Sequence, residues 1–313
     1  MSDGPDGAFV RADVSSAREA RRERRRDERR AARRMQRKAE RRAERDGLAR
    51  GVEDPDFRIG FQVAGVQKGG TTTLHGYLEL HPEIGLGATK ELHFFDNESY
   101  DWSAPPYDRY HRSFAIEPLH RIHGDCTPIY LYWEPSLARI RAYNEALRFI
   151  VVFRNPIERA FSHWAMAYAR NEDRLLFDAA IRAGRERVAD APPLGLSRRI
   201  HSYVERGFYG EQMRRFLTLF PRAQMLALTS EELFGDHRAA LARVTEFLGV
   251  MPFPDDLAAR HANSKKQRVD YPSVLTRADA ELLAGVYRDD LAEFQALSGL
   301  DVSAWLDPTR YPG

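Results

Sequence analysis

Phe61-Gln62-Val63-Ala64-Gly65-Val66-Gln67-Lys68-Gly69-Gly70-Thr71-Thr72-Thr73-Leu74-His75-Gly76 is the stretch that decides the fold. An apolar run with β-branched members, Phe61 to Val66, is cut off at Lys68-Gly69-Gly70. Three threonines then open a segment with helical spacing at Leu74, Tyr77 and Leu78. The order predicts strand, loop, helix. Two glycines let the backbone approach an anion, the first N–H groups of the helix point at it, and Lys68 with the threonine hydroxyls completes a cradle. The lysine stands ahead of the glycines. A Walker A loop places it after the last glycine, directly before the Ser or Thr that holds Mg²⁺, so this is a P-loop-like element of another kind.

Downstream, Leu147 to Phe153 is an apolar run that predicts a buried strand ending at Arg154-Asn155-Pro156. A helix follows, with Phe161, Trp164, Ala165 and Tyr168 at helical intervals. Arg154 therefore stands at the carboxyl end of a central strand, where open α/β sheets bind ligands, and Ser162 lies about two turns into the next helix. Taken alone, such an arginine is equally a surface ion-pair partner. A further strand is expected at Gln224–Leu228, a helix at Ala239–Leu248 closed by Gly249, and a last helix at Arg277–Gln295. Strands alternating with helices predict a central parallel sheet flanked by helices.

Between these elements, Glu83–Leu86 reads as a short connection. In Lys90-Glu91-Leu92-His93-Phe94-Phe95-Asp96 charge and hydrophobicity alternate, as on a short strand or extended loop with Glu91 and His93 on one face. That pattern fits either a working carboxylate–imidazole pair or a polar edge over an aromatic core. Residues 97–123 read as a loop-rich insertion with some helix, and 171–200 as a helix plus a loop suited to a substrate-selecting lid. Their histidines lack ligand spacing, and Cys126 is the only cysteine, so neither a metal site nor an intramolecular disulfide is expected.

The amino-terminal part differs in kind. Residues 18–45 hold 15 Arg and Lys against 6 Asp and Glu, a net +9, so the remainder of a chain whose total is +2 carries −7. Residues 1–50 are expected to form an Arg-rich extension, disordered or helical and solvated, with 57–313 as the folded domain. Weak contact with nucleic acid or an anionic surface is the role open to residues 18–45. No apolar run approaches the ~20 residues of a membrane span and no signal peptide is evident, so a cytoplasmic location is expected.

Four motifs, in order, carry a resemblance: Val66-Gln67-Lys68-Gly69-Gly70-Thr71-Thr72; Lys90-Glu91-Leu92-His93-Phe94-Phe95-Asp96; Phe153-Arg154-Asn155-Pro156 with Arg159 and Ser162; and Arg206-Gly207-Phe208-Tyr209. From about Arg58 to the C-terminus the chain resembles the Golgi-type heparan sulfate sulfotransferases, the 3-O- and N-sulfotransferases, and their bacterial relatives. The resemblance implies a donor co-substrate, 3′-phosphoadenosine 5′-phosphosulfate, and transfer to a carbohydrate or small-molecule hydroxyl or amine without a metal. It implies that Lys68 stabilises the leaving phosphate, with Gln67 and Gly69, Gly70, Thr71, Thr72 and Thr73 completing the cradle. Arg154 and Ser162 match a clamp on the 3′-phosphate. Tyr209 and the loop residues Lys265, Lys266 and Arg268 match groups that close over the nucleotide, although the loop departs from the family's Lys-Gly-Arg spacing. Glu91 matches the catalytic base, and His93 and Asp96 match acceptor-site positions, His93 near the reaction centre. One departure stands out: relatives carry Glu-Lys-(Ser/Thr)-Pro where this chain has Asp125-Cys126-Thr127-Pro128. Either the acceptor site is rebuilt, or another cation such as Lys90 replaces the lysine. A P-loop kinase and a nucleic-acid-binding protein acting through the arm are the alternatives.

Overall fold

The structure is a computed structural model that describes residues 56–189, 191–260 and 271–313. The arm at 1–50 and the loop cations Lys265, Lys266 and Arg268 lie outside the described residues.

The opening stretch forms strand β1 (Phe61–Gly65), a turn, and helix α1 (Thr71–Leu78). After it come β2 (Ile84–Leu86), α2 (Tyr107–His111), β3 (Ile122–Cys126), α3 (Glu134–Tyr143), β4 (Arg148–Phe153) and α4 (Pro156–Ala169). Then follow α5 (Phe177–Arg182), α6 (Glu186–Ala189), α7 (Leu196–His201), α8 (Tyr209–Leu217), β5 (Met225–Thr229), α9 (Ser230–Gly235), α10 (His237–Leu248) and α11 (Arg277–Ser298). The strands make one sheet in the order β2-β3-β1-β4-β5, and every pairing is parallel.

Alternation along β4 shows how both faces are covered. Phe149, Val151 and Phe153 enter a core built with Trp164 of α4, Phe216 of α8 and Phe294 of α11. Ile150 and Val152 enter a second core with Leu74 and Leu78 of α1 and Leu241 and Val244 of α10. A strand sends successive side chains to opposite faces, so an unbroken apolar run is what a doubly covered strand requires. Among the described residues no helix is long and apolar enough to cross a membrane.

Three local expectations are corrected. Ile84–Leu86 is not a connection but an edge strand in register with β3. Ile122 and His123, expected within a loop-rich insertion, begin β3, an interior strand. Its Ile-His-Gly-Asp-Cys offers only Ile122 and Cys126 as apolar side chains, both on one face, and its burial depends on neighbours remote in sequence: Gly124 leaves room for the Phe61 ring, which would lie 2.3 Å from a Cβ there. Asp125 is sheltered by partners described below. Finally, of the short strand or extended loop expected at Lys90–Asp96 the strand is absent: the segment is a loop in which Glu91 (φ 65°) and His93 (φ 52°) are left-handed, outside the extended region of a regular strand.

Crowding at Gly124 gives a direct test. Gly124→Ala should cost about 1–3 kcal/mol of stability through overpacking against Phe61, seen as a lowered thermal midpoint; an unchanged midpoint would show that the two strands are not packed this closely.

Candidate active site

The loop after β1 is shaped by backbone constraints. A Cβ on Gly69 would sit 2.1 Å from the Val152 carbonyl oxygen, and Gly70 has φ 109°, so neither position accepts another residue without movement. The Ser230 hydroxyl donates to the carbonyls of Gly69 (2.7 Å) and Phe153 (3.1 Å), tying the loop to the end of β4. No side chain caps α1, and the Thr73 amide donates to the Gly70 carbonyl at 2.9 Å, which leaves the N–H groups of Thr71 and Thr72 for an external acceptor.

Arg154 emerges at the end of β4. Its guanidinium donates to Glu158 (2.9 and 3.2 Å) and to the Lys68 carbonyl (3.3 Å). The partly exposed pair with Glu158 is of a kind worth little, so a phosphate offering several charge-assisted bonds can displace it. Tyr209 is fully buried among Phe153, Phe294 and Trp305, and its hydroxyl donates to the Arg154 carbonyl at 2.8 Å. Its place is behind Arg154 rather than in the cavity.

Arg206 is the residue that sequence reasoning quoted without assigning. It is 3% exposed; its guanidinium donates to Gln67 Oε1 (2.5 Å), Ser202 Oγ (2.8 Å) and the Arg199 carbonyl (2.9 Å), with no carboxylate among these partners. Burial pulls its pKa down to about 10, which leaves it charged at neutral pH. Nearby His163 is held neutral, chiefly by burial and then by the charges of Arg206 and Arg159. A buried cation with no carboxylate among its hydrogen-bond partners favours an incoming anion. Only folding brings it to Gln67, so no spacing in the chain signals it.

The base loop is organised differently, every charge having a partner. The Glu91 amide donates to the Cys126 carbonyl at 3.0 Å. The Glu91 carboxylate pairs with Lys90 Nζ and faces His93 Nε2 at 3.5 Å. His93 Nδ1 lies 2.9 Å from Asp96 Oδ2, which also receives Arg199 Nη1 at 2.5 Å. Beneath, the Tyr130 hydroxyl accepts from the amides of Phe94 and Phe95 (3.0 and 3.3 Å) and donates to Asp125 at 3.2 Å. Asp125 also receives Thr127 Oγ1 (3.0 Å), Tyr110 Oη (3.4 Å) and Gln62 Nε2 (3.4 Å).

These contacts set the protonation states. Burial opposes charge on Glu91, but the His93 hydrogen bond and then Lys90 outweigh it and hold the carboxyl at about 2. Burial likewise opposes charge on His93, and hydrogen bonds to Asp96 and Glu91 overcome it, raising the ring to about 9. At neutral pH Glu91 is a carboxylate and His93 an imidazolium that donates hydrogen bonds. Cys126 is 2% exposed in the core beside Leu74 and Ile84, its thiol 3.7 Å from the Thr71 carbonyl and its pKa raised by burial, so it is no nucleophile.

The glycine loop and the Lys90–Asp96 loop meet in one cavity of about 520 Å³, lined by Gln67, Lys68, Gly70, Thr71 and Thr72 of the first and by Lys90, Glu91 and His93 of the second. Arg154, Ser162, His163 and Arg206 line it as well. Gly69, Thr73 and Tyr209 do not, and Asp96 opens instead onto an adjoining hollow of about 340 Å³. Among the described residues no group of three or more His, Cys, Asp and Glu could hold a metal ion.

An uncapped helix behind a Lys-Gly-Gly loop, on a parallel sheet and sharing a cavity with an ionised carboxylate, is an arrangement suited to an anionic ligand. The family described as the sulfotransferase domain matches residues 60–277, and the chain belongs to that family. It is 33% identical over 190 residues to human heparan sulfate glucosamine 3-O-sulfotransferase 3B1, covering 60% of this chain and 45% of that protein. It is 27% identical over 208 residues to the human bifunctional heparan sulfate N-deacetylase/N-sulfotransferase 2, covering 62% of this chain and 22% of that one. The chain thus spans less than half the length of these curated relatives. Among solved structures, a sulfotransferase from Alicyclobacillus acidocaldarius superposes with a TM-score of 0.65 at 25% identity, over 80% of this chain and 100% of that one. The kinase alternative finds no support in these matches.

The raised pKa of His93 has a defined sign. Its coupling to Asp96 and Glu91 stabilises the fold below the ordinary histidine value of 6.5 and is lost as pH rises through about 9. Titration of the His93 ring by NMR should give a midpoint near 9, falling towards 6.5 in Asp96→Asn; an ordinary midpoint in the unaltered protein would dissolve the triad of Glu91, His93 and Asp96.

Proposed function

We propose that this protein transfers the sulfuryl group of 3′-phosphoadenosine 5′-phosphosulfate to a hydroxyl or amine of a carbohydrate or small-molecule acceptor. One observation carries the reading: a single cavity combines a glycine-walled cation cradle, including the uncompensated Arg206, with an ionised carboxylate at Glu91. The cradle suits the donor, because Gly69 lets the loop pack against the end of β4, Gly70 lines the cavity in a left-handed conformation, and Arg206 has no carboxylate among its hydrogen-bond partners. When bound, the donor supplies an activated sulfuryl group and two separate anionic ends.

The chain's own part is charge and position. Lys68, the first amides of α1 and the Arg206–Gln67 pair would hold the 5′ end and offset the negative charge that gathers on the leaving phosphate. Arg154 and Ser162 would hold the 3′-phosphate, with Tyr209 fixing the backbone of Arg154. Glu91, already ionised, would take the proton from the acceptor as it attacks sulfur. A carboxyl held near 2 is a weak base in isolation, and its flanking cations give it the task of aligning the acceptor's proton as much as removing it. Lys90, bonded to Glu91, brings a cation to the place where Cys126 offers none. His93 would donate to the acceptor oxygen or to the sulfuryl group in transfer, locked by Asp96. The relatives are named for heparan sulfate, a carbohydrate, which supports an acceptor bearing sugar-like hydroxyls.

Glu91→Gln should lower turnover by about 10²–10⁴-fold while calorimetric affinity for 3′-phosphoadenosine 5′-phosphate stays unchanged; full turnover would remove the base assignment. Lys68→Ala and Arg154→Ala should both weaken donor binding, but Arg154→Ala should matter far less for adenosine 5′-phosphosulfate, which lacks the 3′-phosphate. Equal losses with both nucleotides would take Arg154 out of the clamp.

A further inference from the structure

We infer that the acceptor carries an apolar body beside its reacting hydroxyl, as an alkyl or aromatic glycoside does, and is not a polyanionic polysaccharide. The inference rests on the sulfuryl-transfer reading and specifies its second substrate.

The cavity has an apolar wall of Pro128 and Ile129 after β3, Met166 and Ala167 on α4, and Leu196 and Ile200 on α7. Along α4 the lining changes character: Ser162 and His163 are polar, and one turn on, about 6 Å further along the axis, Met166 and Ala167 are not. The position of α7 gives the wall its partner. Arg199 bonds both the carboxylate and the carbonyl of Asp96, and Asp96 holds His93, which faces Glu91. Leu196 and Ile200 are three positions before Arg199 and one after it, and all three residues line the cavity. The apolar side chains are therefore anchored to the base loop. Leu196 is left 71% exposed and Leu194, on the adjoining hollow, 38%.

Charge argues against a polyanion. Among the described residues at this end, Lys90 pairs with Glu91 and Arg199 with Asp96. The His93 imidazolium lies between the Glu91 and Asp96 carboxylates, and Arg170, exposed and two residues from Glu172, lines the cavity together with that glutamate. A sulfated polysaccharide needs a track of cations in excess of acids to bind tightly, whereas this wall rewards apolar surface.

Butyl, hexyl and octyl β-glucosides share their hydroxyls and differ only in apolar length, so they isolate the wall. Binding to the protein loaded with 3′-phosphoadenosine 5′-phosphate, and kcat/KM with the sulfate donor, should improve about 2–4-fold per added methylene. Met166→Gln and Leu196→Lys should flatten that series without changing nucleotide affinity. An N-sulfated heparosan hexasaccharide should bind more weakly than octyl glucoside. A flat series in the unaltered protein, no glucoside binding, or preference for the hexasaccharide would overturn the inference while nucleotide binding kept the donor reading intact. Failure to bind the nucleotide would overturn the donor reading and this inference with it.

Discussion

All that faces the cavity depends on five strands running in parallel. Parallel pairing in the order β2-β3-β1-β4-β5 brings every carboxyl end to one edge of the sheet, where the connections are free to diverge and bind. Each strand then contributes from the segment that follows it: Glu91 and His93 after β2, Ile129 after β3, Lys68 after β1, Arg154 after β4 and Phe234 after β5. Antiparallel pairing of any one strand would send its loop to the far edge.

On this platform two arrangements of charge stand side by side. At the base loop every ion has a partner, and the chain Lys90–Glu91–His93–Asp96–Arg199 fixes both protonation and geometry of its carboxylate. Around the glycine loop the cations are less neutralised. Arg206 is buried with neutral oxygens as its hydrogen-bond partners, and Arg154 pairs with one half-buried glutamate. A closed set of ion pairs preorganises a reacting group, while an open set attracts a ligand. Lys90 beside Glu91, with Cys126 buried in the core, keeps a cation on the Glu91 carboxylate from the loop itself instead of from β3.

How much was legible follows from where the determinants lie. β1 and β4 are readable because strands covered on both faces are unbroken apolar runs. β3 was hidden because its polar Asp125 is satisfied by Gln62, Tyr110, Thr127 and Tyr130, two of which belong to other elements, β1 and α2. Glu91 and His93 were expected on one face by strand alternation; they do face each other, but through two left-handed residues that alternation does not describe. Tyr209 was expected over the nucleotide, yet its ring completes an aromatic core and only its hydroxyl reaches the site, from behind.

The sequence by itself determined the family, the parallel α/β architecture and the chemistry of the anion loop, since these rest on local order: lysine before glycines, apolar runs of strand length, and caps at the expected ends. Tertiary structure alone decided which charges are neutralised and which are left for a ligand. It paired Glu91 with Lys90 and His93, left Arg206 without an acid, and set the apolar side chains of α4 and α7 beside the base. The physical reason is that desolvation and pairing depend on distances between residues up to a hundred or more positions apart, which only the packed sheet and its helices establish.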